Sequence, residues 1–286
     1  MRPFQDHREI SKSIDNRLRG REVYREQRCG VRMQDVTEPE QNIKSLRDEG
    51  MSILLVCEHA SNFIPEKYNG LGLTPDEQMS HIAWDPGALA VAKNLQEQLN
   101  ASLVACEYSR LLYDCNRSPD QKDAICEESD GITIPGNKDL SAFEKNQRIQ
   151  QFYMPFKKRI TSAVKDNSVI VTIHSFTPVY SGEKRDVEIG ILHDTDTRLA
   201  DALLSVAKNA TIYDIQRNEP YSASDGVTHT LKVHAVDKGR LNVMFEIRND
   251  LIRDVNSQKA VAGTLCNLLQ QALFAITREK TRVRTA

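Results

Sequence analysis

The chain has 286 residues and nearly balanced charge, with 38 lysines and arginines against 40 acidic residues and a formal net charge of -2. This length allows one large α/β domain or two small ones, and the charge argues against nucleic acid or an anionic membrane surface as a partner. We find no stretch with the apolar length of a transmembrane helix and no secretory signal. The six scattered cysteines form no CxxC pair, so we expect a cytoplasmic protein with reduced thiols.

The first part of the chain, residues 1–50, differs in composition from the rest. It is polar and rich in arginine, with few periodic apolar positions, and such a segment cannot bury enough surface to fold alone. Its acidic residues argue against a transit peptide. We predict a disordered or weakly structured extension over 1–50, followed by a single domain over 51–286.

Strand-like and helix-like segments alternate from residue 52 onward. In chain order the pattern predicts a strand at 53–56, a helix at 86–99, a strand at 102–105, a long loop at 120–140, a helix at 141–165, strands at 169–173 and 187–192, a helix at 197–209, strands at 231–236 and 241–247, and a closing helix at 255–278. Ser141 and Glu144 form a capping box at the start of the second helix, which Pro155 is expected to kink or split. The alternation predicts a three-layer α/β/α fold with a mixed, mostly parallel sheet.

Two histidines follow apolar segments that we predict to be buried strands. His59 comes after 53–56, and His174 comes directly after 169–173. In open α/β sheets, ligands bind beyond the carboxyl ends of the strands, so histidines at two such ends favour a metal site. For each histidine taken alone, a hydrogen-bonded structural role is an equal alternative.

Asp85 is the candidate third ligand. Two histidines and a carboxylate with an open fourth position form the arrangement of a catalytic zinc, whose bound water loses a proton near neutral pH. Since Asp85 precedes the predicted helix at 86–99, the alternative is that it caps that helix. Asn62 is the other candidate ligand, but an amide oxygen binds zinc poorly, so we favour Asp85.

The segment after the strand at 102–105 carries candidate substrate-binding residues, Arg110, Asn116 and Arg117. Guanidinium groups bind carboxylates bidentately and with fixed geometry, so the segment predicts recognition of an acidic substrate. The alternative is a structural ion pair, for example between Arg110 and Asp114.

Glu246 lies near the carboxyl end of the predicted strand at 241–247. A carboxylate beside a metal-bound water is a suitable general base and, later, a general acid for a departing amine. The alternative is a surface pair with Arg248, two residues along the same strand. We favour the catalytic role because Glu246 directly follows the buried segment.

The remaining polar candidates are weaker. They are His81, His193, His229, His234 and the loop at 218–222. Of these, His193 follows the predicted strand at 187–192 and is expected to face the same cleft. The sequence contains no glycine-rich phosphate loop, no GxSxG elbow and no HExxH motif.

Six motifs in this order resemble the N-formylglutamate amidohydrolase family. They are EHASN at 58–62 with Ile64-Pro65, AWDPGA at 83–88, Ser109-Arg110 with DCNR at 114–117, HSF at 174–176, NEPY at 218–221, and EIR at 246–248. The resemblance extends from about residue 52 to the last helix. It implies a zinc-carboxypeptidase/phosphorylase-hydrolase-like fold, similar to that of carboxypeptidases and aspartoacylase.

The resemblance also implies roles for individual residues. His59 and His174 match the two metal-binding histidines of the wider group, Asn116-Arg117 matches its substrate-carboxylate pair, and Glu246 matches its general base. Asn62 occupies the position of the short-spaced acidic ligand, so the assignment of Asp85 departs from the group's pattern.

The activity implied by the resemblance is zinc-dependent hydrolysis of N-formylglutamate to formate and glutamate. Another divalent metal is an alternative to zinc, and the reaction is expected to belong to histidine degradation. The expected partner is a small acidic N-acyl amino acid, with no nucleic acid and no membrane, and we make no prediction of oligomeric state. Two alternatives remain at this point. One is a related zinc amidase that acts on another N-acyl amino acid or a cell-wall fragment, and the other is a metal-free protein that binds acidic metabolites.

Overall fold

A six-stranded sheet forms the centre of the structure, which is a computed structural model describing residues 50–285. The strands lie in the order β2-β1-β5-β10-β8-β9. All neighbours in this sheet are parallel except β8 and β10, which are antiparallel. The strands of the sheet are β1 (Ser52–Cys57), β2 (Ser102–Ala105), β5 (Ser168–Phe176), β8 (Ile189–Leu192), β9 (Ile215–Arg217) and β10 (Asn242–Arg248).

Two short hairpins lie outside the sheet. They are formed by β3 (Glu128–Ser129) with β4 (Ile132–Thr133) and by β6 (Val179–Tyr180) with β7 (Glu183–Lys184). The β3–β4 hairpin falls within the predicted loop at 120–140.

Helices cover both faces of the sheet. They are α1 (Pro75–Met79), α2 (Ala88–Leu99), α3 (Ala142–Arg148), α4 (Met154–Ala163), α5 (Arg198–Ala210), α6 (His229–His234) and α7 (Val255–Thr285). A core cluster joins one face of the sheet to α2, α5 and α7, and a second cluster joins the other face to α4, α6 and the segments between them. The predicted three-layer α/β arrangement with a mixed, mostly parallel sheet is therefore confirmed.

The central strand β5 carries side chains of both layers, and all nine of its residues are buried. Because successive side chains of a strand point to opposite faces, Val171 packs in the first cluster and Ile170 in the second. His174 continues the second series. The register between β5 and β10 places Glu246 directly beside His174, so the fold brings these two polar residues together on one face.

Most predicted elements are found, with shifted ends, but the predicted strand at 231–236 is wrong. Those residues fall in and just after α6. The alternating polar and apolar residues suggested a strand, yet Leu231 and Ala235, four residues apart, are both fully buried. That spacing is helical, so tertiary packing decided the structure of this short segment. The strand β9 and the helix α1 were not predicted.

The predicted helix at 141–165 is split, and the split precedes Pro155. Ser141 and Glu144 form the predicted capping box at the start of α3. A π-helical turn over Ile149–Tyr153 then separates α3 from α4, in which Pro155 occupies the first turn. Proline has no N–H to donate to the preceding turn, and a π turn inserted before it accommodates the missing hydrogen bond.

The closing helix α7 corrects the expectation that no stretch of the chain has the apolar length of a transmembrane helix. The helix over Val255–Glu279 is long and apolar enough to cross a membrane by length and composition, and an 18-residue window of it has a mean hydropathy of 1.3. However, 56% of that window is buried, and Val261, Leu265 and Leu269 are fully buried in the cluster against the sheet. The apolar character of α7 is accounted for by its place in the core.

The predicted extension over 1–50 lies, apart from Gly50, outside the described residues. It therefore stays a prediction.

Candidate active site

Three buried side chains from separate parts of the chain meet at one point beside the sheet. His59 lies two residues beyond β1, Asp85 precedes α2, and His174 lies in β5. The Nδ1 atoms of His59 and His174 are 3.2 Å apart. Asp85 Oδ2 lies 3.3 Å from the first and 2.9 Å from the second. The three atoms thus form a nearly equilateral triangle.

This triangle fits a divalent metal ion. Ligand atoms about 2.0–2.1 Å from a zinc ion in a tetrahedron are separated by about 3.3 Å, close to the distances found. Two imidazoles and a carboxylate are also a donor set that zinc prefers. Two Nδ1 atoms cannot both carry a proton at a separation of 3.2 Å without repulsion, whereas a shared cation satisfies all three atoms.

Each histidine also presents its outer nitrogen to a carboxylate. His59 Nε2 donates to Asp114 Oδ1 over 2.7 Å, and His174 Nε2 lies 3.1 Å from Glu58 Oε2 as an ion-pair contact without hydrogen-bond geometry. Metal-binding histidines usually donate their second N–H in this way, which fixes the ring and leaves the other nitrogen free to bind. Neither Glu58 nor Asp114 was expected from the sequence to have this role. Glu58 follows Leu54 and Val56 in the strand alternation, which is the signal that places it on this face.

The charges around the triangle favour a cation. Burial opposes ionisation of the histidines, but Asp114 and Asp85 outweigh it at His59, and Glu58 with Asp85 outweighs it at His174, so both pKa values are raised. Burial likewise opposes ionisation of Asp85, but the two histidines hold its pKa below its usual range. The site therefore concentrates negative charge around two basic nitrogens.

Asp85 does not cap α2, which was its alternative role. The residue at the start of that helix is Gly87, with a φ of 83°, and no side chain caps it. A Cβ at Gly87 would lie 2.6 Å from the Ile252 carbonyl oxygen, so only glycine fits this close passage. Asp85 Oδ2 instead accepts a hydrogen bond from the Ser175 N–H over 3.1 Å. Asn62, the other candidate ligand, is turned away and donates to the Gln78 carbonyl.

Glu246 lies next to the triangle and has a different environment from Asp85. It is 5% exposed, and its Oε2 has no hydrogen-bond partner among the residues that the structure describes. Burial raises its pKa to about 7, and Asp85 contributes in the same direction. The alternative pair with Arg248 is not formed, because Arg248 binds Asp250 over 2.8 Å. Glu246 is therefore a carboxyl group that can exchange a proton near neutral pH.

The three predicted substrate-binding residues line the same cavity and are each engaged by the protein. Arg110 forms the ion pair with Asp114 that was its alternative role, at 2.5 Å, and lies 3.5 Å from Asp85 Oδ1. Arg117 Nε donates to Asp123 over 2.7 Å. Asn116 donates to the Val227 carbonyl and accepts from the Thr230 N–H. Their role towards a substrate stays a prediction.

The cavity has a volume of about 420 Å³. Its walls contain the triangle, Glu246, and side chains from both hairpins and from the loop before α6. Pockets of this size are ordinary sites for small molecules.

The weaker histidine candidates mostly lie elsewhere. His193, expected near the cleft, does not line the cavity, and its Nε2 accepts from Arg217 over 2.9 Å. His229 binds the Tyr153 hydroxyl, and His234 is buried at the end of α6. His81 does line the cavity and pairs with Asp130 over 3.1 Å.

Known proteins are similar to this chain over most of its length. A family model described as N-formylglutamate amidohydrolase matches residues 51–253. The crystal structure of a gene product from Agrobacterium tumefaciens has 52% sequence identity with this chain. The match covers 79% of this chain and 92% of that protein's chain, with a TM-score of 0.77.

A crystal structure of N-formylglutamate amidohydrolase from Ralstonia eutropha is 17% identical. The match covers 81% of this chain and 96% of that protein's chain, with a TM-score of 0.59. This similarity shows the fold alone. No match was found among the curated proteins. Because the family match spans well over half of the sequence, the chain belongs to the N-formylglutamate amidohydrolase family and is a hydrolase.

Proposed function

We propose that the protein hydrolyses the amide bond of an N-acyl acidic amino acid in a metal-dependent reaction, with N-formylglutamate as the substrate and formate and glutamate as the products. The observation that carries this proposal is the triangle of His59, Asp85 and His174 with Glu246 beside it. Zinc is the proposed ion, and other divalent metals use similar donors.

The metal would be held by the two Nδ1 atoms and Asp85 Oδ2. A divalent cation in such a set supplies Lewis acidity, which lowers the pKa of water and polarises a carbonyl oxygen. Asp114 and Glu58 orient the two rings for this role, since each faces the outer nitrogen of one ring.

Glu246 is the proposed proton carrier of the reaction. It accepts the proton of the water that attacks the acyl carbon, and then delivers a proton to the nitrogen as the C–N bond breaks. One water is consumed, and the products are the free acid and the free amine. A carboxyl group with a pKa of about 7 is suited to both steps, because it loses and regains a proton at similar free energy.

Arg110, Asn116 and Arg117 are proposed to bind one carboxylate of the substrate. All three line the cavity that contains Glu246. Arg110 also lies beside the triangle, 3.5 Å from Asp85 Oδ1, where its charge would stabilise negative charge that develops on the acyl oxygen.

The alternative function is that of a related amidase whose substrate carries a larger acyl group. The cavity volume of about 420 Å³ is the observation that favours this alternative. The two functions differ in the acid released. Purified protein supplied with zinc should release formate from N-formylglutamate much faster than acetate from N-acetylglutamate. Faster release of acetate would show that N-acetylglutamate, and not N-formylglutamate, is the preferred substrate. If neither compound is hydrolysed with added zinc, manganese or cobalt, the proposed function is contradicted. The cytoplasmic location and the place in histidine degradation stay predictions.

A further inference from the structure

An acidic substrate such as glutamate carries two carboxylates, and the cavity has to accommodate both. Its walls already hold several carboxylates, including Asp85, Asp114 and Asp123. Arg110 is neutralised by Asp85 and Asp114, and Arg117 by Asp123. The arginines that line the cavity are therefore shared with acidic groups and are already assigned to the first carboxylate, so the second carboxylate needs another donor.

Arg185 is a cation of a different kind, next to the same cavity. It follows β7, and its guanidinium stacks on three aromatic rings, with centroid distances of 4.6 Å to Tyr180, 4.8 Å to Tyr221 and 5.8 Å to Phe176. All three rings line the cavity. The hydrogen bond of its NH1 goes to the Tyr221 hydroxyl and not to a carboxylate. The aromatic residues thus lie between this cation and the cavity.

Tyr221 connects Arg185 to the cavity. The Tyr221 hydroxyl oxygen accepts a hydrogen bond from Arg185 NH1 over 2.8 Å. A hydroxyl group that accepts at its oxygen keeps its own hydrogen to donate, and Tyr221 is one of the residues that line the cavity. The adjacent guanidinium polarises the O–H bond, which strengthens its donation to an anion. Burial raises the pKa of Tyr221, so the phenol keeps this hydrogen.

The backbone holds Tyr221 close to the reacting end of the cavity. Gly190 of β8 pairs with Glu246 in the sheet, and a Cβ at Gly190 would lie 1.8 Å from the Glu219 carbonyl oxygen. The loop that carries Tyr221 therefore crosses directly over β8 beside Glu246. Only a glycine permits this approach.

We propose that the Tyr221 hydroxyl, polarised by Arg185, binds the second carboxylate of the acidic substrate and so selects glutamate-like substrates over neutral ones. Tyr221 makes the contact, and Arg185 is a positioning residue that acts through it. The inference rests on the proposed function, since it assigns a subsite for the same substrate.

The test compares N-formylglutamate with its two amides, N-formylglutamine and N-formylisoglutamine, each of which lacks one carboxylate. The wild-type protein should prefer N-formylglutamate to both. In Arg185→Gln and Tyr221→Phe, the preference over one of the two amides should fall by about 10- to 100-fold, as expected for loss of a hydrogen bond to a charged group. The change should lie in KM, with kcat for the neutral analogue within about threefold of wild type. The amide against which the preference falls identifies the substrate carboxylate that Tyr221 binds.

Two further variants separate recognition from structural damage. Arg159→Gln removes an exposed arginine that pairs with Glu107, and it should leave the preference unchanged. Arg185→Lys keeps the charge without the planar group and should restore part of the preference. Titration of the wild-type and Arg185→Gln proteins with glutamate, followed by calorimetry, gives a binding readout that does not depend on turnover, and the variant should bind more weakly.

An Arg185→Gln protein that hydrolyses N-formylglutamate with unchanged preference over both amides would overturn this inference and leave the proposed function intact. A wild-type protein without preference for N-formylglutamate over either amide would overturn it as well. Failure of the wild-type protein to hydrolyse any of the three compounds would instead count against the proposed function.

Discussion

The two sides of the cavity are built differently. We call His59, Asp85, His174 and Glu246 the strand floor, because His174 and Glu246 lie in neighbouring strands, His59 lies just beyond a third, and Asp85 lies against them. Its members are 2–5% exposed. The aromatic wall consists of Phe176, Tyr180 and Tyr221, which lie at the end of β5, on the β6–β7 hairpin and in a loop, and Tyr180 is 38% exposed.

The difference separates chemistry from recognition. The strand floor is fixed by the register of β1, β5 and β10 and by packing on both faces of the sheet, which holds reacting groups in place. Two members of the aromatic wall, Tyr180 and Tyr221, lie outside the sheet on a hairpin and a loop, and such segments vary more readily than the sheet. Substitutions in the strand floor should therefore lower kcat or metal affinity, and substitutions that disturb the aromatic wall should raise KM.

Within the strand floor, two buried carboxyl groups have opposite properties. Asp85 accepts hydrogen bonds and faces two histidines, so its pKa is lowered despite burial. Glu246 has an oxygen without a partner, and burial raises its pKa to about 7. One carboxylate is thus suited to binding a cation and the other to exchanging a proton, a division of roles set by environment.

The largest effect is expected from Glu246→Gln, which keeps the size of the side chain and removes its basicity. We expect kcat to fall by about 10²- to 10⁴-fold, the usual contribution of a general base, with KM and metal content unchanged. Glu128→Gln removes another carboxylate that lines the cavity and should retain activity. A fully active Glu246→Gln protein would show that the strand floor performs its chemistry without this group.

Asp114→Asn tests the support of the His59 ring. The amide cannot accept the Nε2 proton as strongly, so metal affinity should fall by about 10- to 100-fold, measured by titration with a chelator. Excess metal should recover most of kcat. Asp123→Asn is the matched control, since Asp123 lines the cavity but binds Arg117 rather than a histidine. Equal metal affinity in Asp114→Asn and wild type would contradict the proposed orienting role.

The pH dependence of kcat/KM should show the ionisation of Glu246. A general base acts when it is deprotonated, and its pKa is raised to about 7, so activity should fall as the pH falls through this region. A bound divalent cation attracts the ionised form, so the decline should begin at or below pH 7 and approach about tenfold per pH unit. Glu246→Asp should shift this decline. A flat profile from pH 8 to pH 4.5 would contradict the assignment.

Gly190→Ala should give the smallest effect on the reaction and act on the aromatic wall. Its Cβ would collide with the Glu219 carbonyl and displace the loop that carries Tyr221, so KM should rise several-fold with a smaller change in kcat. Overpacking of this kind typically costs about 1–3 kcal/mol of stability, which thermal unfolding would show. Gly263→Ala, in α7 with open space around it, is the control and should leave KM unchanged, with stability raised by about 0.5–1 kcal/mol because alanine is the better helix former. An unchanged KM in Gly190→Ala would indicate that Tyr221 does not take part in substrate binding.

The sequence predicted the strand floor better than the aromatic wall, for a physical reason. His59, His174 and Glu246 follow or end apolar segments whose fold is set locally, and parallel strands bring their carboxyl ends to one edge. Asp85 stands before a helix whose apolar spacing the sequence also shows. The contact of Arg185 with Tyr221 joins residues 36 positions apart through a hairpin and a loop without regular periodicity, and no pattern in the sequence indicates it. The same limit explains the error at 231–236, where six residues were too few to distinguish a helix from a strand.

The central claim is that His59, Asp85 and His174 hold a divalent metal that the reaction needs. The most direct measurement is the metal content of the purified protein, determined together with formate release from N-formylglutamate before and after chelation. We expect about one divalent ion per chain, loss of formate release on chelation, recovery on adding zinc, and loss of the ion in His174→Ala. Undiminished formate release by protein that contains no metal would contradict it.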